Sequence, residues 1–355
     1  MRPYTLGIDL HKRSSVWVLL DGEGNEVWKD SVPCHPDNIT KTLEWMPAPG
    51  SDIQAALEPT CGWRWVAALL EEAGVEVHPA NVNKVRLIAE STQKHDLGDA
   101  RALANLLRLG YLPESYRVSD SIYEHRLFLR HRAYLVRLRV SVKNRLHGMA
   151  TAVGLHHIAR RNPLSKAGKA GIMAGDDASM KELHTLIEEL DRRITECDAR
   201  CEKIAKGEPL VPVLTSMPGV GIITALTIIA EVGDFTRFAS AKHISSFSGL
   251  IPRQRSSGES VRFGSITNQG SKTLRMIMVE AAFRIRPTNA PELYAFVARL
   301  APVCGKKRAR IALARKMLCI LWHMAKTRTP YDKGKIVVHS PRIANVIHID
   351  TYRGA

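Results

Sequence analysis

Two aspartates, Asp96 and Asp99, stand three apart in KHDLGDARALANLLRLGY, just where an apolar run with helical spacing (Ala102, Leu103, Leu106, Leu107) begins. One aspartate at a helix start is ordinary, because its carboxylate accepts hydrogen bonds from the first-turn N–H groups. Two at i and i+3 share a side of the helix and repel each other unless a cation sits between them. Two further carboxylates end apolar, strand-like runs: Asp9 in LGIDLHK and Glu58 in AALEPTCGW. Singly, each has a plain explanation: a turn cap for Asp9, a pairing with Arg64 for Glu58, helix caps for Asp96 and Asp99. Gathered in one cleft, four carboxylates demand cations, and hard oxygen ligands select Mg²⁺ or Mn²⁺. A pair of such ions about 4 Å apart stabilises the attacking and leaving oxygens of phosphodiester chemistry. Asp9, Glu58, Asp96 and Asp99 are therefore the candidate metal ligands and catalytic carboxylates.

Whether they meet depends on the elements that carry them. YTLGIDL, SSVWVLLD and NEVWKDSVP read as three strands, the last two joined by the hairpin signal GEGN. A helix (PDNITKTLEWM), a strand (DIQAALEP), a helix (GWRWVAALLEEAG) and a strand (VEVHPA) follow. Three meandering strands and then alternating α and β is the order of an RNase-H-like, RuvC-like sheet. In it the first and fourth strands are neighbours, so Asp9 and Glu58 emerge at one edge, beside the helix that begins near Asp99. A Rossmann domain would alternate from the start and carry a glycine-rich first turn; neither is present.

Beyond this α/β region the texture changes. YEHRLFLRHRAYLVRLRVSVKNRLHGMA reads as a long basic helix, with Arg130, Arg137, Lys143 and Arg145 as candidate nucleic-acid contacts. A Gly/Ala/Ser-rich stretch, NPLSKAGKAGIMAGDDASM, is expected to be a flexible tip before a second long helix, KELHTLIEELDRRITECDARCEKIAK. Together they predict a coiled-coil arm, with a plain structural bundle as the alternative. The third region opens on PGVG between helices, similar to a helix–hairpin–helix turn that holds a DNA phosphate on backbone N–H groups. A long polar loop and a further helix are expected after it. The domains expected are 1–112 (RuvC-like), 113–206 (helical arm), 207–331 (small, mostly helical) and 332–355 (a tail).

GIDLHK, LEPTCGW, KHDLGDARALA and MPGVG…SGLIPRQRSSGES…ITNQGSKTLR resemble, in order and from Asp9 to about Tyr331, the DEDD-type bacterial insertion-sequence transposases of the IS110 family. The resemblance implies that Asp9, Glu58, Asp96 and Asp99 form the family's acidic tetrad and that Ser257 is its serine nucleophile, with Ser256 one residue away as the alternative. It also implies a structured RNA from the same element that pairs with donor and target DNA. A loop serine is usually a solvated turn residue. Here Arg253, Arg255, Arg262, Lys272 and Arg275 flank it and can hold a phosphate. No His or Lys base of a hydrolase triad accompanies it. Attack by Ser257 on a phosphodiester would conserve the bond energy in a phosphoserine link.

The charge agrees with a polyanionic partner: 51 Lys and Arg stand against 35 Asp and Glu, a formal +16. DNA, a guide RNA and a homo-oligomer (dimer or tetramer) are the expected partners, with no membrane. The longest apolar run, GVGIITALTIIAEVG, is too short to span one. No leader is apparent, and six scattered cysteines fit reduced thiols, so a cytoplasmic, nucleoid-associated location is expected. A Holliday-junction resolvase would need only the acidic cleft and would form no covalent adduct. The sugar-kinase/actin class lacks its second phosphate loop here, and a non-catalytic binding protein leaves four placed carboxylates unexplained.

Overall fold

Alternation along the first strand decides which side of the sheet carries chemistry. In β1 (Tyr4–Leu10) successive side chains point to opposite faces. Leu6, Ile8 and Leu10 enter the main core of the first unit, while Thr5, Gly7 and Asp9 face the other way. The computed structural model describes residues 2–60, 62–88, 96–154, 165–257 and 260–335, with the side chains of 255–263 and 335 outside the description. The chain divides into two units, Met1–Arg117 and Val118–Ala355.

The first unit is built on a five-stranded sheet of β1, β2 (Ser14–Leu20), β3 (Glu26–Pro33), β4 (Ile53–Leu57) and β5 (Glu76–Pro79), in the order β3-β2-β1-β4-β5. The β1–β2 and β2–β3 pairs are antiparallel, and β1–β4 and β4–β5 are parallel. This is the RNase-H-like arrangement read from the sequence. On one face α1 (Pro36–Trp45) and α2 (Trp63–Glu72) bury Ile39, Val66 and Leu70 against Leu6, Ile8 and Trp17. A short α3 (Val82–Ile88) follows β5. On the opposite face lies α4 (Asp96–Arg108), with Ala100 and Ala104 against Val18 and Leu20, and Leu103 and Leu107 against Ala56 and Ala80.

The approach of α4 to β1 requires glycine at position 7. A β-carbon there would lie 1.9 Å from the Ala100 carbonyl oxygen and 2.8 Å from the Ala104 amide nitrogen. Small residues on both elements let backbone meet backbone, which fixes the helix over the strand.

In the second unit α5 (Asp120–Ala152) starts at Ser119, whose side chain accepts from the Ile122 amide. It packs along α7 (Ala178–Gly207) through Val142, Leu146, Ile187 and Leu190. Arg139 bonds Asp191 at 2.5 Å, and Arg132 bonds Asp198. The expected flexible tip is in part a helix, α6 (Lys166–Ala174), capped by Ser165 and anchored by the fully buried Ile172. A cap and one buried isoleucine outweigh the Gly/Ala-rich composition; positions 162–164 of that stretch lie outside the described residues.

The remaining elements are α8 (Leu210–Thr215), α9 (Ile222–Val232), α10 (Ala241–Ser248), β6 (Pro252–Ser257), β7 (Ser260–Ile266), α11 (Lys272–Phe283), α12 (Pro291–Cys304) and α13 (Lys306–Thr327). The helices among them share one core that includes Leu274, Met278, Leu313, Met317 and Leu321. The stretch expected as a long polar loop holds a two-stranded hairpin, β6 paired antiparallel to β7. Alternation in SVRFGSI supports a strand, and its serines and glycines had hidden the pattern. Among the described residues, no helix is long and apolar enough to cross a membrane.

Candidate metal centre

Register and helix spacing together place all four carboxylates. Gly7 sits under Ala100 and Ala104. Asp9 is two residues further along the same strand face, about 6.6 Å. One helical turn before Ala100 is Asp96, about 5–6 Å back along the axis. Strand and helix thus advance nearly in step, and Asp9 comes opposite Asp96 and Asp99. On the other side, β1 and β4 run in parallel register through Ile8 opposite Leu57. The next position sets Asp9 beside Glu58. The Thr60 hydroxyl donates to the Leu10 carbonyl at 2.8 Å, which ties the loop after Glu58 to the end of β1.

Asp9 is the buried member, 6% exposed, whereas Asp96 is exposed and Glu58 and Asp99 are half-buried. Burial pushes its carboxyl up to about 6; His11 opposes the rise, and Glu58, Asp96 and Asp99 each add to it. The cluster therefore has more negative charge than a single imidazole offsets.

One member was not among the expected ligands. The His11 Nε2 lies 3.2 Å from Asp9 Oδ2 and 3.4 Å from Asp96 Oδ2. Ligand atoms of Asp9, His11 and Asp96 all fall within 4.8 Å of one another, close enough to share one ion. The signal was present in GIDLHK, since positions 9 and 11 share a face at a strand end. The donor set, mostly carboxylate oxygens with a buried aspartate whose charge is unfavourable alone, fits a hard divalent cation.

In the second unit the hairpin β6–β7 rises from a tightly closed base. Gly249 (φ +68°) and Gly270 (φ +81°) sit where a β-carbon would strike the Gln269 and Phe247 carbonyls at 2.2 and 1.9 Å. The Thr267 amide donates to the Ile251 carbonyl, and Arg275 donates to the Ser248 carbonyl at 3.0 Å. Arg275 is thus a structural clamp. Ser257 closes β6 opposite Ser260 in backbone register. The side chains of Ser257, Ser256, Arg255 and Arg262 lie outside the described residues. Arg253 and Lys272 are exposed near that base.

The candidate nucleic-acid residues of α5 divide. Arg137 and Arg145 are exposed, and Lys143 is half-buried. Arg130 also has a partner within the fold: its guanidinium grips the buried Glu231 carboxylate with two bonds of 2.7 and 2.9 Å. The Ser271 hydroxyl donates to the same carboxylate at 2.8 Å while capping α11. Arg130 therefore ties α5, α9 and α11 together, because an unpaired buried carboxylate would be costly. Helical periodicity marks an arginine as off the core stripe but does not reveal a glutamate a hundred residues later.

Comparison with known proteins adds an independent line. A family model described as a DEDD, IS110-type transposase matches residues 6–154, and one described as "Transposase IS116/IS110/IS902 family" matches residues 211–298. A probable family 20 transposase of Pseudomonas aeruginosa is 27% identical over 256 residues, 68% of this chain and 75% of that one. The transposase for insertion sequence element IS1111A of Coxiella burnetii is 26% identical over 253 residues, 68% and 70% of the two chains. A pilin gene-inverting protein of Moraxella bovis is 34% identical over 122 residues, 34% of this chain and 38% of that one.

Proposed function

The chain belongs to the DEDD-type transposases of the IS110 family, enzymes of DNA strand transfer, and from that premise we propose that it cuts and rejoins DNA at a divalent-metal centre, with Ser257 as nucleophile. The observation that carries this reading is the convergence on one buried aspartate: Asp9, raised by burial and by Glu58, Asp96 and Asp99, with His11 bridging it to Asp96.

Asp9, Glu58, Asp96 and Asp99 would hold Mg²⁺ or Mn²⁺, which when bound stabilises charge on the attacking and leaving oxygens of a phosphodiester. Asp9 is the fixed ligand, held on the sheet by the close α4 contact at Gly7. Asp96 and Asp99, in the first turn of α4, close the site from the solvent side. His11 holds the Asp9 and Asp96 carboxylates in their relative orientation. Arg253 and Lys272 bind the scissile phosphate and offset its charge as the fifth oxygen approaches.

Ser257 supplies the covalent step. Its Oγ forms a bond to phosphorus, the bond from phosphorus to the leaving sugar oxygen breaks, the serine proton passes to solvent, and the sugar oxygen takes up a proton. Attack by a sugar hydroxyl of another strand reverses the step and frees the serine, so strands are exchanged without an external energy source. Specificity is proposed to come from a structured RNA of the same element, with the protein reading backbone and A-form shape. Site-specific recombination that survives thorough RNase treatment would remove the RNA from this account.

The test is denaturing electrophoresis of protein incubated with end-labelled DNA and Mg²⁺. A protein–DNA adduct is expected from wild type and from Ser256→Ala, and none from Ser257→Ala. An adduct lost in Ser256→Ala instead moves the nucleophile by one residue. Cleavage without any adduct would identify a resolvase-like nuclease and overturn the serine mechanism.

A further inference from the structure

Between Leu293 and Tyr331 the chain has nine Lys or Arg residues and no Asp or Glu. This stretch forms the α12–α13 hairpin. Part of the charge is structural: Arg310 donates to the Ala282 and Ile285 carbonyls at 2.6 and 2.7 Å, closing the end of α11. Lys326 lies over the Trp322 ring. Among the described residues, no hydrogen bond or ion pair engages the side chains of Lys306, Lys307 and Arg308.

Lys306, Lys307 and Arg308 are exposed in the first turn of α13. That turn is the positive end of the helix dipole, where carboxylates stabilise and cations do the reverse. Gly305 provides no side-chain cap, and the first turn has no acidic residue. Further along the hairpin, Arg299 and Lys316 share the ring of Phe296 at 5.7 and 4.9 Å. Lys316 is held below the ordinary lysine range, by burial first and by Arg299 second. Like charges on one ring and on one turn, within a stretch free of carboxylates, are an arrangement that a polyanion relieves.

We propose that the α12–α13 hairpin is a contact surface for the phosphate backbone of duplex DNA, made by Lys306, Lys307 and Arg308 with Arg299 and Lys316. The proposal rests on the DNA-acting reading above. The family models end at residues 154 and 298, so α13 lies outside both matched regions. Lys306 and Lys316 are about 15 Å apart along the helix, a length over which duplex DNA has about nine charges. Unpaired bases would call for exposed aromatic rings to stack on. Val303 is the large apolar residue this hairpin exposes among those described, and it is not aromatic. The surface therefore favours duplex backbone over single strands.

The test compares the full-length wild type with the triple variant Lys306→Gln/Lys307→Gln/Arg308→Gln. Affinity for labelled duplex DNA is measured over a salt series in EDTA, so that no cutting intervenes. Neutralising three phosphate contacts should flatten the slope of log K against log salt by about 2.7. The loss should be equal for unrelated sequences, with the melting temperature unchanged or raised. A slope within about 0.5 of wild type overturns the proposal, and so does a lowered melting temperature, which would make the cations structural. A loss confined to RNA probes overturns the DNA occupant. Failure of the wild type to bind duplex DNA at any salt overturns the DNA-acting reading, and this surface with it.

Discussion

Asp9 has its charge set against its surroundings: burial and three neighbouring carboxylates push it from an ordinary 3.8 up to about 6. The folded chain then binds that proton more tightly than the unfolded chain. Stability from this residue is greatest below about pH 4 and falls as pH rises towards 6. At 1.36 kcal/mol per unit, the burden at neutral pH has a ceiling of about 3 kcal/mol. Asp9→Asn should therefore raise the melting temperature of metal-free protein at pH 7.5, with the gain vanishing near pH 4. Added Mn²⁺ should stabilise the wild type and leave the variant unmoved. Thermal scans at the two pH values, with and without metal, check both parts. His11 was legible at this scale, since an aspartate and a histidine two apart at a strand end share a face; only the distances to Asp9 and Asp96 reveal that it joins the site.

At the scale of elements, the site depends on how closely α4 lies on β1. Gly7→Ala would drive a methyl group into the Ala100 carbonyl. Overpacking against backbone of this kind costs about 3 kcal/mol, the upper end of the usual range. Because the shift would separate Asp96 and Asp99 from Asp9, metal affinity should fall at least tenfold. Leu70→Ala, on the opposite face of the sheet, should destabilise by a similar 2–5 kcal/mol yet keep metal affinity. Calorimetric titration with Mn²⁺ separates the two; equal loss in both would mean that α4 does not set the site. The strands and α4 were readable because alternation and i, i+4 spacing act within a few residues. The serine hairpin was not, since strand pairing of β6 with β7 competes with a composition typical of loops. The role of Arg130 was hidden because its partner, Glu231, is remote in sequence.

For the whole molecule, a formal +16 on 355 residues matches a substrate that is a polyanion, and strand exchange needs at least two cuts held in register. A symmetric oligomer supplies that register. If the serine of one protomer acts at the acidic site of another, Asp9→Asn and Ser257→Ala proteins, each inactive alone, should recover some adduct formation when mixed. No recovery, with mixed oligomers shown to form, would assign both halves of the site to one chain. The Asp9 cleft is proposed as the metal centre that cuts DNA. Its most direct measurement is strand cleavage of labelled element-end DNA by wild type and Asp9→Asn across a Mg²⁺ and Mn²⁺ titration. Cleavage by wild type should rise with metal and disappear in EDTA, and Asp9→Asn should not cleave at any metal concentration. Cleavage by Asp9→Asn at the wild-type rate, or by wild type in excess EDTA, would contradict it.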